Sequence, residues 1–479
     1  MMIPNASSIP LARNVRIGRA TQKVDLALLL LIGVIAIPAM ATVGIGYPAA
    51  GARWFFGLLL LALGYQLALK RDCRRFVALL IGVTPVLMML RDFFFYSAVT
   101  AMFACGIIAW SFLFPEEFGE LWRNLWWRML FFVAMLYWAL SYYLTGEYAS
   151  NLRVMELVLA AACLHLLAGH RRMLAVALFG CCLSVLSIGI AFLPYGDRLG
   201  SAEIGGYSLG NPITFGLPLA LIITLLVADD GKWLLLERHR LWRLSLGSSA
   251  GALLLLSTSR GSWAIVIANL IALFLIGGRR TQERRVALAL LAAMALATIL
   301  LLVSPKGEDL ERAFERTASA DSSWAHSSSG RTDQWRLFPR IFEDAPLFGF
   351  GPGTGPFVHE QYSLWDNSLS VHGKILQWHS LYLLIGVETG ALGLSFLILF
   401  LLSLLARGIA HLRARGVIVP LLGILSFIII GFSVSGFDAS SGLFLGCGLV
   451  AAQRSESAGR TRGRLHPSSL KNDTRPHPR

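Results

Sequence analysis

Charge is scarce in this 479-residue chain: 15% of residues are Asp, Glu, Lys or Arg, against 56% hydrophobic, and the mean hydropathy is +0.63. Soluble domains carry about 25% charged residues, so a water-soluble globule is excluded. Metal signatures are missing as well: there is no D-x-D, no H-E-x-x-H and no carboxylate cluster with metal-ligand spacing. Chemistry that runs through a divalent ion needs acidic ligands, so metal-independent chemistry and no cofactor are expected. Six cysteines (Cys73, Cys105, Cys163, Cys181, Cys182, Cys447) fall in apolar runs or short basic loops, which gives neither a disulfide framework nor zinc spacing. No internal repeat stands out, which argues against a transporter built from inverted halves.

What the chain has instead is apolar length. Runs fall at 24–44, 53–69, 76–90, 93–114, 124–145, 153–169, 173–194, 213–228, 241–256, 262–277, 286–303, 380–406, 416–435 and 439–453. A helix needs about 20 apolar residues to cross a bilayer, so the fold class expected is all-α and polytopic, with 12–14 transmembrane helices. The short pair flanking Arg91 reads as re-entrant or as one broken unit. Alternating the spans from a cytoplasmic N-terminus puts 29 of the 42 Lys and Arg inside and 12 outside, with Arg128 within a span. The positive-inside bias therefore places both termini in the cytoplasm. It also explains the net charge of +14 without nucleic acid as a partner. Four parts follow: a transmembrane bundle at 1–303, a large outer loop at 304–378, C-terminal helices at 379–453 and a basic tail at 454–479 expected to be disordered.

The outer loop is the one long polar segment, and the residues suited to chemistry cluster in it and at its borders. Arg260 sits in Ser257-Thr258-Ser259-Arg260-Gly261-Ser262, a small-residue turn between two apolar runs. Arg331 follows Ser329-Gly330 and opens an expected amphipathic helix with Trp335, Phe338 and Phe342 on one stripe; a second such helix is expected at 308–316. Arg198 lies in the outer turn Tyr195-Gly196-Asp197-Arg198. Guanidinium groups pair bidentately with phosphate oxygens, although arginines at span ends also merely snorkel to water. His379 precedes Ser380 and Tyr382 at the start of a fresh apolar run. A neutral imidazole there could take a proton near neutral pH, and an interfacial histidine is the plainer alternative. His326, His359 and His372 compete with it from within the loop. The glycine-rich stretch 348–356 has no strand before it and reads as a tight turn rather than a nucleotide cradle.

In this order around one large loop, these motifs resemble the O-antigen ligase family, within a wider group that includes O-antigen polymerases and O-oligosaccharyltransferases. The matching features are Ser257–Ser262, Gly330-Arg331 with Trp335, Asp344-Ala345-Pro346-Leu347-Phe348-Gly349-Phe350-Gly351-Pro352-Gly353, and His379-Ser380-x-Tyr382 running into Glu388-Thr389-Gly390-Ala391-Leu392-Gly393. Many relatives carry Asn where this chain has Ser380. The resemblance implies a GT-C-like glycosyltransferase of the bacterial inner membrane whose active site faces the periplasm. Its donor would be O-polysaccharide on undecaprenyl diphosphate, its acceptor the lipid A-core, with membrane lipids around it. By motif position, Arg260 and Arg331, with Arg198 as a third, would bind the diphosphate and His379 would act as base. Trp335, Ser380, Tyr382 and Ser262 would support them. Polymerase or protein-transferase activity stays open. A lipid-linked glycan transporter is the non-enzyme reading, for which only Arg128, Glu156 and His165 offer mid-span polar groups.

Overall fold

Apolar runs of this length leave the backbone one option in lipid, which is to satisfy its own hydrogen bonds as helix. The computed structural model describes residues 25–90, 97–146, 152–192, 212–228, 240–257, 259–276, 331–364, 378–433 and 438–450. Phe93, two short strands and scattered positions of 285–303 are also described. The bundle begins with α1 (Leu26–Gly44), capped by Asp25, whose carboxylate accepts the Leu28 N–H at 3.3 Å. It continues through α2 (Pro48–Gly64), which ends in a π-turn, and α3 (Cys73–Leu90). Next come α4 (Ala98–Leu113), α5 (Pro115–Arg123), α6 (Leu125–Thr145), α7 (Arg153–Leu167) and α8 (Arg171–Phe192). A small antiparallel hairpin, β1 (Ala202–Ile204) against β2 (Tyr207–Leu209), pairs Ala202 with Leu209 and is the only departure from helix among the described elements. Helices α9 (Pro212–Ala228), α10 (Arg240–Leu256) and α11 (Arg260–Ile276) follow.

The protein is a polytopic membrane protein. Among the described residues six helices are long and apolar enough to cross a bilayer alone, and five shorter apolar helices accompany them. Helix α5 bends 112° away from α4, with Pro115 opening it. Its Glu117 accepts the Trp110 indole N–H at 3.1 Å and pairs with Arg74 at 2.6 Å and His170 at 3.0 Å. Helix α3 is buried along most of its length and packs mainly against α8 and α4. A Cβ added to Gly180 of α8 would lie 2.9 Å from Gly82 Cα and 2.6 Å from Ile32 Cδ1. That approach also lets Ser184 donate to the Gly82 carbonyl at 2.8 Å. Small residues at helix crossings are how helices associate where lipid removes the hydrophobic drive.

A second, smaller core caps one end of the bundle. It joins α12 (Arg331–Asp344), α13 (Gly355–Ser363) and the first turns of α14 (Leu381–Arg415) through Leu337, Ile341, Val358, Trp378, Leu384 and Val387. The α15 (Val419–Ser433) and α16 (Ala439–Val450) helices complete the chain. The expected stripe on α12 is displaced: the buried face is Asp333, Gln334, Leu337 and Ile341, while Trp335 is 46% exposed. A buried polar pair begins that face, which an apolar-only reading of periodicity passes over. The expected helix at 308–316 and the basic tail at 454–479 lie outside the described residues.

Candidate functional site

Helix α14 is not continuous. At Gly390 the backbone turns to φ 62° and ψ −161°, which only glycine adopts without strain. The break frees peptide groups that would otherwise pair within the helix, and the glycine-rich turn takes them. Ala391 N–H donates to the Pro346 carbonyl at 2.8 Å and Leu392 N–H to Leu347 at 3.3 Å. In return Phe350 N–H donates to Val387 and Gly351 N–H to Glu388, both at 2.9 Å. Gly349 has φ +65°, and a Cβ there would meet the Glu388 carbonyl carbon at 2.5 Å. The two glycine motifs are therefore halves of one backbone joint, with turn up to residue 354 and α13 opening at Gly355.

Ahead of this joint the helix starts from a fixed point. Ser380 caps α14 by accepting the Leu383 N–H at 3.5 Å, and its hydroxyl donates to the Gly431 carbonyl of α15 at 3.1 Å. Tyr382 donates to the Ile428 carbonyl at 2.8 Å and packs its ring on Phe432. Between these anchors and the cap, His379 is held by its own backbone: its N–H donates to Gln334 Oε1 of α12 at 2.8 Å. Gln334 lies three residues beyond Arg331. The imidazole of His379 is partly exposed, whereas His359 is 1% exposed and packs edge-on against Trp378.

The turn between α10 and α11 reaches the same place from another direction. Ser257 donates to the Leu254 carbonyl at 2.7 Å, Ser259 and Ser262 share a hydrogen bond of 2.9 Å, and the Trp263 indole also caps Leu254 at 2.8 Å. Ser257 and Trp263 together satisfy the Leu254 carbonyl near the end of α10, where the chain reverses into α11. A Cβ added at Gly261 would lie 2.5 Å from Ser433 Oγ, and one at Gly216 would lie 2.5 Å from Ser262 Oγ. The first turn of α11, headed by Arg260, is thus wedged between α9 and the last turn of α15, the turn that also anchors Ser380 and Tyr382.

The structure so brings three of the expected motifs into one contact chain: Gly261 to Ser433, Gly431 to Ser380 and Tyr382, and His379 to Gln334. Arg260 and Arg331 are placed in it by their backbones at the heads of α11 and α12. Ser262 is buried against α9, and Ser380 and Tyr382 act as anchors of α14. Arg198, His326 and His372 lie outside the described residues. Two participants carry no role in the motifs as read from sequence. Gln334 sits on the buried face of α12. Glu388, 1% exposed, is the one acidic residue in the run 380–406, and a lone carboxylate in such a run was signal enough to single it out.

Residues 245–398 match the O-Antigen ligase family, a stretch that opens in α10, takes in Arg260, Arg331 and His379, and closes just past the joint at Gly390. No curated relative matches the chain.

Proposed function

From the place that residues 245–398 give this chain in the O-antigen ligase family, we propose that it is the ligase itself, transferring O-polysaccharide from undecaprenyl diphosphate to lipid A-core. The match supports ligase- or polymerase-type transfer in general; the donor, acceptor and residue roles that follow are our reading. The observation that carries it is the contact chain linking the heads of α11 and α12 to the start of α14. It links the backbones that carry Arg260 and Arg331 to a partly exposed His379 near one end of the bundle, which supports this reading. Helix N-termini present free N–H groups and a partial positive charge, which suits an anionic diphosphate.

In this reading the Arg260 and Arg331 guanidinium groups grip the diphosphate, with Arg198 as a third donor. The neutral His379 imidazole accepts the proton of an acceptor sugar hydroxyl. The oxygen attacks the anomeric carbon as the bond from that carbon to the phosphate oxygen breaks. The diphosphate leaves with the bonding pair, its charge balanced by the arginines, and the sugar inverts in a single step without a metal ion. A cavity of about 170 Å³ between α6 and α14 suits a hydrocarbon tail. Its walls include Leu130, Val133, Leu381, Ile385, Phe396 and Phe400, so it begins two residues from His379. The site faces the periplasm in this account, the side that the charge bias of the loops favours.

The test is a reconstituted transfer assay with purified lipid-linked polysaccharide and lipid A-core. His379→Ala should lower turnover by at least ~100-fold, the usual worth of a general base, while the protein stays in the membrane. Arg260→Lys should raise the donor requirement, since an ammonium cannot reproduce the planar fork. Transfer should survive exhaustive EDTA. Normal turnover of His379→Ala would remove it as the base. A deletion strain separates acceptors: polymer stranded on the lipid carrier supports the ligase, and core bearing a single repeat would reassign the chain as a polymerase.

A further inference from the structure

Beside the proposed site lies a buried carboxylate that the chemistry above does not use. Glu388 stands two turns into α14, 1% exposed. Its Oε1 accepts the N–H of Gly355 at 3.1 Å, and its Oε2 accepts the phenol O–H of Tyr137 from α6. A carboxylate is costly to bury and persists only where donors satisfy it, so what those donors hold together is informative. Gly355 opens α13, and its carbonyl accepts the Trp378 indole N–H at 2.8 Å. A Cβ on Gly355 would lie 2.8 Å from Glu388 Oε1 and 3.1 Å from Trp378 Cδ1, which leaves the clamp no slack. One glycine is therefore gripped by its N–H from Glu388 and by its C=O from Trp378, and the residue after Trp378 is His379. The outer oxygen ties the same carboxylate to α6, the far wall of the apolar cavity.

We propose that Glu388 is a positioning residue: held by Tyr137 and Gly355, its carboxylate fixes Trp378 and through it the place of the His379 imidazole relative to the heads of α11 and α12. The role rests on the transferase reading only for its effect on turnover; the geometric part stands apart from it. Glu388 does not reach the reacting atoms, being enclosed by the joint and the cap. Its effect should therefore fall on turnover and leave donor affinity alone.

The experiment uses the full chain in lipid nanodiscs with Glu388→Gln, Tyr137→Phe and the double substitution. Two quantities are read: transfer kinetics, normalised to the folded fraction, and the rate at which diethyl pyrocarbonate modifies His379, mapped by mass spectrometry with His170 as internal reference. Misplacing a catalytic group by about 1 Å can cost ~100-fold. Each single variant should therefore lose about tenfold or more in kcat with donor KM within about twofold, while His379 reactivity changes and His170 reactivity does not. The double variant should be no worse than the poorer single, because both remove one hydrogen bond. Wild-type turnover together with wild-type His379 reactivity in Tyr137→Phe would overturn the proposal, and that variant decides alone if Glu388→Gln fails to fold. If the wild-type chain transfers nothing yet His379 reactivity responds to the substitutions, the transferase reading falls and the positioning role stands.

Discussion

In the bundle, α3 and α8 meet across Gly82 and Gly180, close enough that their backbones nearly touch. In the cap, α12, α13 and the head of α14 meet around Leu337, Ile341, Trp378 and Leu384. Polar groups add definite ties there: Gln334 to His379, Trp378 to Gly355 and Tyr362 to Asp344. Lipid tails are as apolar as leucine, so the bundle gains little from burying apolar side chains and depends on shape. The cap carries both a buried apolar cluster and directed hydrogen bonds. The difference teaches where specificity resides. The α3–α8 crossing rests mainly on matched shape, whereas the start of α14 is held by directional bonds.

The largest effect is expected where close backbone approach does most of the holding. Gly180→Leu would force a side chain into a gap where even a Cβ falls 2.6 Å from Ile32 Cδ1. Overpacking costs about 1–3 kcal/mol or more, and here the opposing surface is backbone. Size-exclusion profiles and thermal melting of the solubilised protein should show loss of the folded species.

An intermediate effect should separate the two regions. Gly349→Ala places a Cβ at a left-handed φ of +65° and against the backbone of Glu388; the conformation alone costs roughly 1–2 kcal/mol. The cap should loosen while the bundle persists, seen as faster proteolysis within 331–364 and loss of transfer at an unchanged main melting transition. Joint loss of both would show that cap and bundle unfold as one unit.

The smallest effect belongs to a single tie within the cap. Tyr362 donates to the Asp344 carboxylate, and burial followed by that hydrogen bond pushes its phenol up from 10.0 to about 12. Because the folded value is the higher, the contribution is fully present below pH 10 and is lost as pH rises through about 12. Tyr362→Phe should cost on the order of 1 kcal/mol. The difference from wild type in cap proteolysis should shrink at alkaline pH. A constant difference up to pH 12 would mean that ionisation of the hydroxyl does not break the tie to Asp344.

Much of this was legible from residues alone, and unevenly so. Apart from α5, the described bundle helices coincide with apolar runs, because a backbone in lipid has no alternative to helix. The order of the motifs around the loop was also readable, since small residues, glycines and a flanking histidine are local signals. The run 380–406 shows where reading stopped. It announced a helix, and it carried Glu388 and Gly390, but nothing local said that the helix breaks at the glycine or that residues 346–351 supply the missing partners. On α12, Trp335 was expected on the buried stripe and is instead exposed. Gln334 takes the inner face because its amide meets a backbone N–H arriving from position 379.

The sequence by itself determined that this protein lives in a membrane, which way its loops bias it, and which residue types border its one long polar segment. Those properties follow from composition and local spacing, which need no knowledge of neighbours. Only the tertiary structure decided that Gly261 touches Ser433, that Ser380 and Tyr382 bolt onto the same turn of α15, and that a buried Glu388 grips Gly355 beneath His379. Such contacts join residues separated by tens to hundreds of positions, and hydrogen-bond geometry, which acts over about 3 Å, is set only when the whole chain has packed.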